Sequence, residues 1–436
     1  MIGGIQNIGR ITELRQRIFF TFAMLAVYRV GAFIVTPGIN PAVIKSFFEQ
    51  MRGTMFGLFS MFSGGALEQL SIFSLGIMPY ISASIIFQLL TIVIPQLDAV
   101  KKEGEAGRKK INQWTRYATI VLAMFQSFLI AVALENGQFG EGAVLQPGMG
   151  FKLMCMITLT CGTAFIMWLG EQITERGIGN GISLIIFAGI IIRIPSAIGK
   201  LFELIRTDQF SILQTVFLLV VGVAVVFFVV VVERGQRRIP IQHARRVVGK
   251  RVMQGGMSYF PLRVNTAGVI PAIFASSLLM FPLTIGQFTD SPMVQGFIDE
   301  YLNPRSPLYQ VFYIALIVFF AYFYTAIMIN PTDVADNIKK SGAYIPGIRP
   351  GKKTAEYIDR ILSRITLVGA FYIAAVCVLP TLLAVRLGVP FYFGGTALLI
   401  AVGVGLDTIA QVEAHLVSRQ YEGFAKGTRI RGRLAR

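Results

Sequence analysis

Apolar residues gather along this chain into runs about as long as a bilayer is thick, with polar gaps between them. We read ten runs, over residues 18–36, 72–94, 114–134, 151–171, 181–199, 211–232, 267–288, 309–329, 365–385 and 393–412. Each predicts a membrane-crossing helix, because a backbone inside lipid must satisfy its own N–H and C=O groups. One more apolar stretch, Phe56 to Leu67, is too short and too rich in glycine to cross. It predicts a re-entrant piece covered by protein rather than lipid. The gaps at 233–266 and 330–364 are longer than a connection needs. They carry turn residues, Gly249, Gly255, Gly256 and Pro261 in the first and Gly342, Pro346, Gly347, Pro350 and Gly351 in the second. Structured projections are expected there. The expected fold is an all-α polytopic membrane protein of ten transmembrane helices. Five spans up to residue 200 and five after it suggest pseudo-symmetric inverted halves, 1–200 and 201–412, followed by a tail, 413–436.

Composition strengthens the membrane reading. Mean hydropathy is +0.65, and with only 14% of residues charged the chain cannot cover a large soluble surface. Charge adds sidedness. Of 40 Lys and Arg, 31 fall in every second gap: the N-terminal segment, 95–116, 172–180, 233–266, 330–364 and the tail. Loops rich in basic residues stay in the cytoplasm, so both termini are expected there. The formal net charge of +17 is split by spans rather than gathered on one fold, which argues against a nucleic-acid-binding domain. No cleavable signal peptide is expected, since no small-residue cleavage site follows the first run.

Candidate chemistry is sparse. His243 and His415 lie in polar segments without a nucleophile at a telling spacing. Cys155, Cys161 and Cys377 lie in apolar runs without metal-type spacing and are expected to be packed thiols. Arg176-Gly177-Ile178-Gly179-Asn180-Gly181 looks superficially like a phosphate loop but follows an apolar span, so a tight turn is expected. No enzymatic activity, cofactor or metal is expected, and any energy from nucleotide must come through another protein. Ion-coupled transport reads poorly, because runs 72–94, 211–232 and 267–288 hold no charge. Arg29, Glu171, Arg193 and Asp407 are expected to be structural. What remains is aliphatic: Ile77, Ile81 and Ile85 at four-residue spacing, Ile182 and Ile186 likewise, and Ile270 with Ile273. Spacing alone leaves these as ordinary packing in a polytopic channel or transporter.

Several stretches carry a resemblance. Gly76-Ile77-Met78-Pro79-Tyr80-Ile81-Ser82-Ala83-Ser84-Ile85-Ile86, Lys101-Lys102-Glu103-Gly104-Glu105, Trp168 to Ser183, Val232 to Arg238, Asn265 to Phe274, Ser341 to Gly351 and Pro390 to Thr396 resemble the SecY family, the channel subunits of the bacterial Sec translocon. The external loops and the tail from Lys426 to Arg436 match only loosely.

The resemblance implies a passive, hourglass-shaped channel for unfolded polypeptide in the bacterial cytoplasmic (inner) membrane. It implies a constricting ring at Ile77, Ile81, Ile182, Ile186, Ile273 and Ile400. It implies a plug helix at about 59–70, with Ser63, Gly64 and Gly65 as a flexible lead and Leu67 in its body. A lateral gate between spans two and three and spans seven and eight would release signal sequences and membrane helices into lipid. Arg245, Arg246, Lys250 and Arg251 in the first projection, and Arg349, Lys352 and Lys353 in the second, would dock the ribosome and the motor ATPase SecA. Small membrane partners SecE and SecG are implied as well.

Overall fold

A computed structural model describes residues 12–50, 64–140, 142–207, 211–243, 246–248, 251–253, 256–287, 296, 301, 306–387 and 394–427. In chain order the helices are α1 (Thr12–Gly31), α2 (Pro41–Gln50), α3 (Met78–Val93), α4 (Pro95–Lys102), α5 (Glu105–Glu135), α6 (Met149–Arg176), α7 (Gly181–Ile191), α8 (Ile194–Arg206), α9 (Ile212–Arg234), α10 (Ile270–Gln287), α11 (Pro307–Met328), α12 (Pro331–Lys340), α13 (Lys352–Leu387) and α14 (Gly395–Gly427). Among the described residues, 7 helices are long and apolar enough to cross a membrane, or up to 8 if α3 and α4 count as one broken span. The chain is therefore a multi-pass membrane protein. It divides into two compact units, Met1–Ile198 with Val404–Arg436, and Gly199–Gly403.

In the first unit, α5 and α6 lie side by side. The buried face of α5 is Gly107, Thr115, Thr119, Ala123, Ser127 and Ala131, spaced in multiples of four so that they form one stripe. Lipid is as apolar as Leu, so helices associate there through close backbone packing, which small residues permit. Ser127 and Thr160 hydroxyls meet across the seam at 3.4 Å. Val121, Phe125 and Phe128 on the other side are exposed and suit a lipid-facing surface. Gly162 in α6 lets the chain cross directly over it: a Cβ there would lie 1.8 Å from the Ile72 carbonyl oxygen. Between α3 and α4 the axis turns by 102°. Pro95 causes the turn, since it has no N–H for the helical ladder and forces Ile94 into an extended conformation, φ −102° and ψ 110°.

In the second unit, α11 packs against α10 and α13, with Phe274 edge-on to Phe320 at 5.6 Å. Helix α9 is apolar all round and only 6% of its apolar window is buried, which fits a span surrounded by lipid.

The all-α expectation needs correction, because the 233–266 gap folds as β-structure. Strand β1 (Gln236–His243) pairs antiparallel with β4 (Met257–Arg263) and with β5 (Ala343–Tyr344), in the order β4-β1-β5. Strands β2 (Arg246–Val248) and β3 (Arg251–Met253) form a second hairpin. The reason lies in a period of two within Arg237-Arg238-Ile239-Pro240-Ile241-Gln242: Ile239 and Ile241 share one face and are buried. Pro240 is tolerated in a central strand because β5 pairs only with Gln242 and His243 and asks nothing of residue 240. Ile239, Ile241 and Leu262 pack with Ile338 of α12, Ile345, and Ile358 and Leu362 of α13. The two projections thus share one sheet and one apolar core.

Candidate functional site

Pro79 sits in the first turn of α3, where a missing N–H costs nothing, and Ile77 is the residue at which that helix begins. The Ile81 N–H donates to the Ile77 carbonyl at 3.1 Å, so these two side chains lie one turn apart on one face. Ile77 is buried and Ile81 half-buried.

Ile182 and Ile186 are set by the turn before α7. Asn180 caps the helix, its Oδ1 accepting from the N–H groups of Ile182 at 3.1 Å and Ser183 at 3.4 Å. Upstream, Thr21 Oγ1 accepts from Ile178 N–H at 3.1 Å, Gln411 Oε1 from Gly179 N–H at 2.8 Å, and Thr174 Oγ1 from Gly181 N–H at 2.8 Å. Gly181 lies so close to α6 that a Cβ would come within 1.9 Å of the Gly170 carbonyl oxygen. Arg176–Gly181 is therefore a tight turn, fixed by side chains from three other stretches. Ile186 is buried and Ile182 half-buried. In the second unit, Ile400 on α14 is buried and Ile273 on α10 half-buried. None of the six isoleucines is exposed.

The candidate plug falls partly outside the described residues, which begin again at Gly64; Ser63 and residues 59–62 are not among them. From Gly64 the backbone makes turns and a single 3-10 helix, Leu67–Gln69, so the described part is not an α-helix. Ala66, Leu67 and Leu70 are buried. Leu70 has the left-handed conformation, φ 43° and ψ 52°, unusual for a residue with a Cβ.

Two arginines reach this segment. Arg29 Nη1 donates to the Gly64 carbonyl at 2.9 Å, and its guanidinium lies 4.4 Å from the centre of the Phe33 ring. Arg193 Nη2 bonds Glu68 Oε1 at 2.9 Å. Gly64 and Gly189 meet backbone to backbone: a Cβ on Gly64 would lie 2.9 Å from Gly189 Cα. Sequence reasoning gave Arg29 and Arg193 a structural role but did not find these partners. The available signal was the cost of an unpaired charge in an apolar span, which demands an acceptor nearby. Glu171 likewise finds Arg116, at 2.6 Å.

Arg349, Lys352 and Lys353 are exposed around the start of α13. Thr354 Oγ1 donates to the Arg349 carbonyl at 2.9 Å, and Lys353 Nζ meets Glu356 Oε2 at 3.2 Å. Arg246 and Arg251 belong to β2 and β3, paired with Met253 and Val248. Arg245 and Lys250 lie outside the described residues.

With this geometry in hand, the relatives are informative. The SecY family model matches residues 71–409. Protein translocase subunit SecY of Escherichia coli (strain K12) is 52% identical over 427 residues, covering 97% of this chain and 96% of that one. A solved structure described as that of a protein conducting channel superposes with a TM-score of 0.67 at 18% identity, covering 93% of each chain. Sec61 in the canine ribosome-channel complex from the endoplasmic reticulum gives 0.64, also at 18% identity and 93% of each chain. The fold is that of these channels, and the match along nearly its whole length makes this chain a member of the SecY family.

Proposed function

We propose that this chain is the channel subunit of a protein translocase in a bacterial cytoplasmic membrane, with both termini in the cytoplasm. It passes unfolded secretory polypeptides across the bilayer and releases apolar segments sideways into lipid. The observation that carries this reading is the 52% identity, over 427 residues, to a protein translocase subunit. The alternating distribution of Lys and Arg supports the sidedness.

Ile77, Ile81, Ile182, Ile186, Ile273 and Ile400 act as an aliphatic gate. Such side chains offer water and ions no hydrogen bond, so the gate closes by dewetting. They also offer a passing chain no sequence-specific contact, so substrates of many sequences can slide through. Residues 59–70 act as a plug. An apolar segment leaving sideways exchanges water for lipid, worth about 25 cal/mol per Å² of apolar surface. The driving force is external: the basic projections dock the motor ATPase SecA or the ribosome, whose phosphates would make affinity salt-dependent. SecE and SecG are the small membrane partners of this reading.

Proteoliposomes holding the chain with SecE and SecG, given SecA, ATP and a secretory precursor, should shield the precursor from added protease. Vesicles that never do so end the translocase reading. In a planar bilayer, Ile186→Asn should raise ion conductance well above wild type, and an unchanged conductance removes Ile186 from the gate.

A further inference from the structure

The geometry points to Arg29, Glu68 and Arg193 as positioning residues that hold the plug root seated and so set how often the idle channel opens. This inference rests on the reading of residues 59–70 as a plug. Three features of the first unit support it.

The first is where the contacts come from. Glu68 belongs to the 3-10 turn that follows Gly64 and Gly65, while Arg193 lies in the turn just after α7, the helix that carries Ile182 and Ile186. Arg193 is seven residues beyond Ile186, about 10 Å at the helical rise. Arg29 comes from α1 and holds the other end of the same short segment, at the Gly64 carbonyl. A side chain of α1 and one from the turn after α7 therefore hold one short segment at two points.

The second is backbone fit. Gly64, with φ +64°, abuts Gly189 of α7 so closely that neither position has room for a Cβ without something moving. The seated segment thus touches the gate-bearing helix directly, three residues from Ile186.

The third is reversibility. The Arg193 and Glu68 side chains are 26% and 32% exposed. Neither side chain is fully enclosed, so the pair can part at less cost than a fully buried one could. Leu70, held left-handed while its side chain is fully buried, gives the seated state a backbone strain that departure would release. A clasp of this kind keeps the segment home without locking it.

The test uses the whole complex in a planar bilayer, without precursor, reading the frequency of spontaneous openings. Glu68→Arg and Arg193→Glu, each made alone, place like charges together and should raise that frequency about tenfold. The exchanged pair, Glu68→Arg with Arg193→Glu, restores opposite charges and should return it to within about threefold of wild type. A role in folding alone does not predict that rescue. Ile186→Asn serves as the reference leak. If Ile186→Asn conducts while both single variants stay at the wild-type frequency, the clasp is overturned and the channel reading stands. If the exchanged pair is as open as the singles, the pairing is overturned. If Ile186→Asn is silent too, the gate reading fails first and the clasp with it. Should either charge reversal fail to assemble, Glu68→Gln must still raise the opening frequency, and a wild-type value there overturns the proposal.

Discussion

Basic side chains are turned in opposite directions in two parts of this molecule. Around the turn from Gly64 to Glu68, Arg29 and Arg193 point into protein, toward the Gly64 carbonyl and the Glu68 carboxylate. On the projections built from 236–263 and 330–364, Arg349, Lys352 and Lys353 point outward. The difference lies in what each scaffold offers. An irregular turn exposes unpaired carbonyls, and a guanidinium that finds one is held. The projections instead close around Ile239, Ile241, Leu262, Ile338, Ile358 and Leu362, whose side chains carry no acceptor. Charges attached to such a core turn to its outside, as Arg349, Lys352 and Lys353 do. The same residue types become fasteners in one region and exposed charge in the other.

That contrast can be broken at its strongest point first. Ile358 is fully buried in the projection core, so Ile358→Ala should cost about 2–5 kcal/mol of local stability. Amide hydrogen exchange in β1 and β4 should accelerate accordingly, and unchanged protection would mean that something other than this core holds the sheet. Next, Arg29→Ala removes a donor from the Gly64 carbonyl, a loss of about 1–3 kcal/mol if that oxygen finds no replacement. Limited proteolysis should then cut near Gly64 and Gly65 faster, and wild-type cleavage rates would show that Arg29 fastens nothing. Reversing Arg349 and Lys352 together to Glu should leave the fold intact and weaken ribosome binding. The slope of log affinity against log salt should fall by about one for each phosphate no longer neutralised; an unchanged slope takes those two residues out of the docking surface. The smallest effect is expected at Lys353. Its pair with Glu356 is exposed, so Lys353→Ala should shift the thermal midpoint by no more than about 0–1 kcal/mol would. A larger shift would mean that the outward charges are structural after all.

Much of the helical layout was legible because lipid imposes one rule on every span: long, apolar and internally hydrogen-bonded. The 212–234 helix needs no context to be recognised. The turn at 176–181 was legible too, since Gly-rich sequence after an apolar run has few other uses. The strands were missed. Ile239 and Ile241 alternate over too few residues to compete with the basic composition around them, and their partners on α12 and α13 are about a hundred residues away. The partners of Arg29 and Arg193 were illegible for a different reason. A span declares that it holds a charge, but the backbone oxygen answering it, on Gly64, has no signature in a sequence at all.

Pro95 carries a consequence for motion. A rigid rod crossing a membrane drags along whatever is attached to it. The elbow at Ile94 and Pro95 interrupts the rod: α3 and α4 both lie against α5 but along different directions, so a pull on one is not passed straight down a common axis to the other. One imino acid thus divides a single apolar run into two segments that bear separately on the same neighbouring helix.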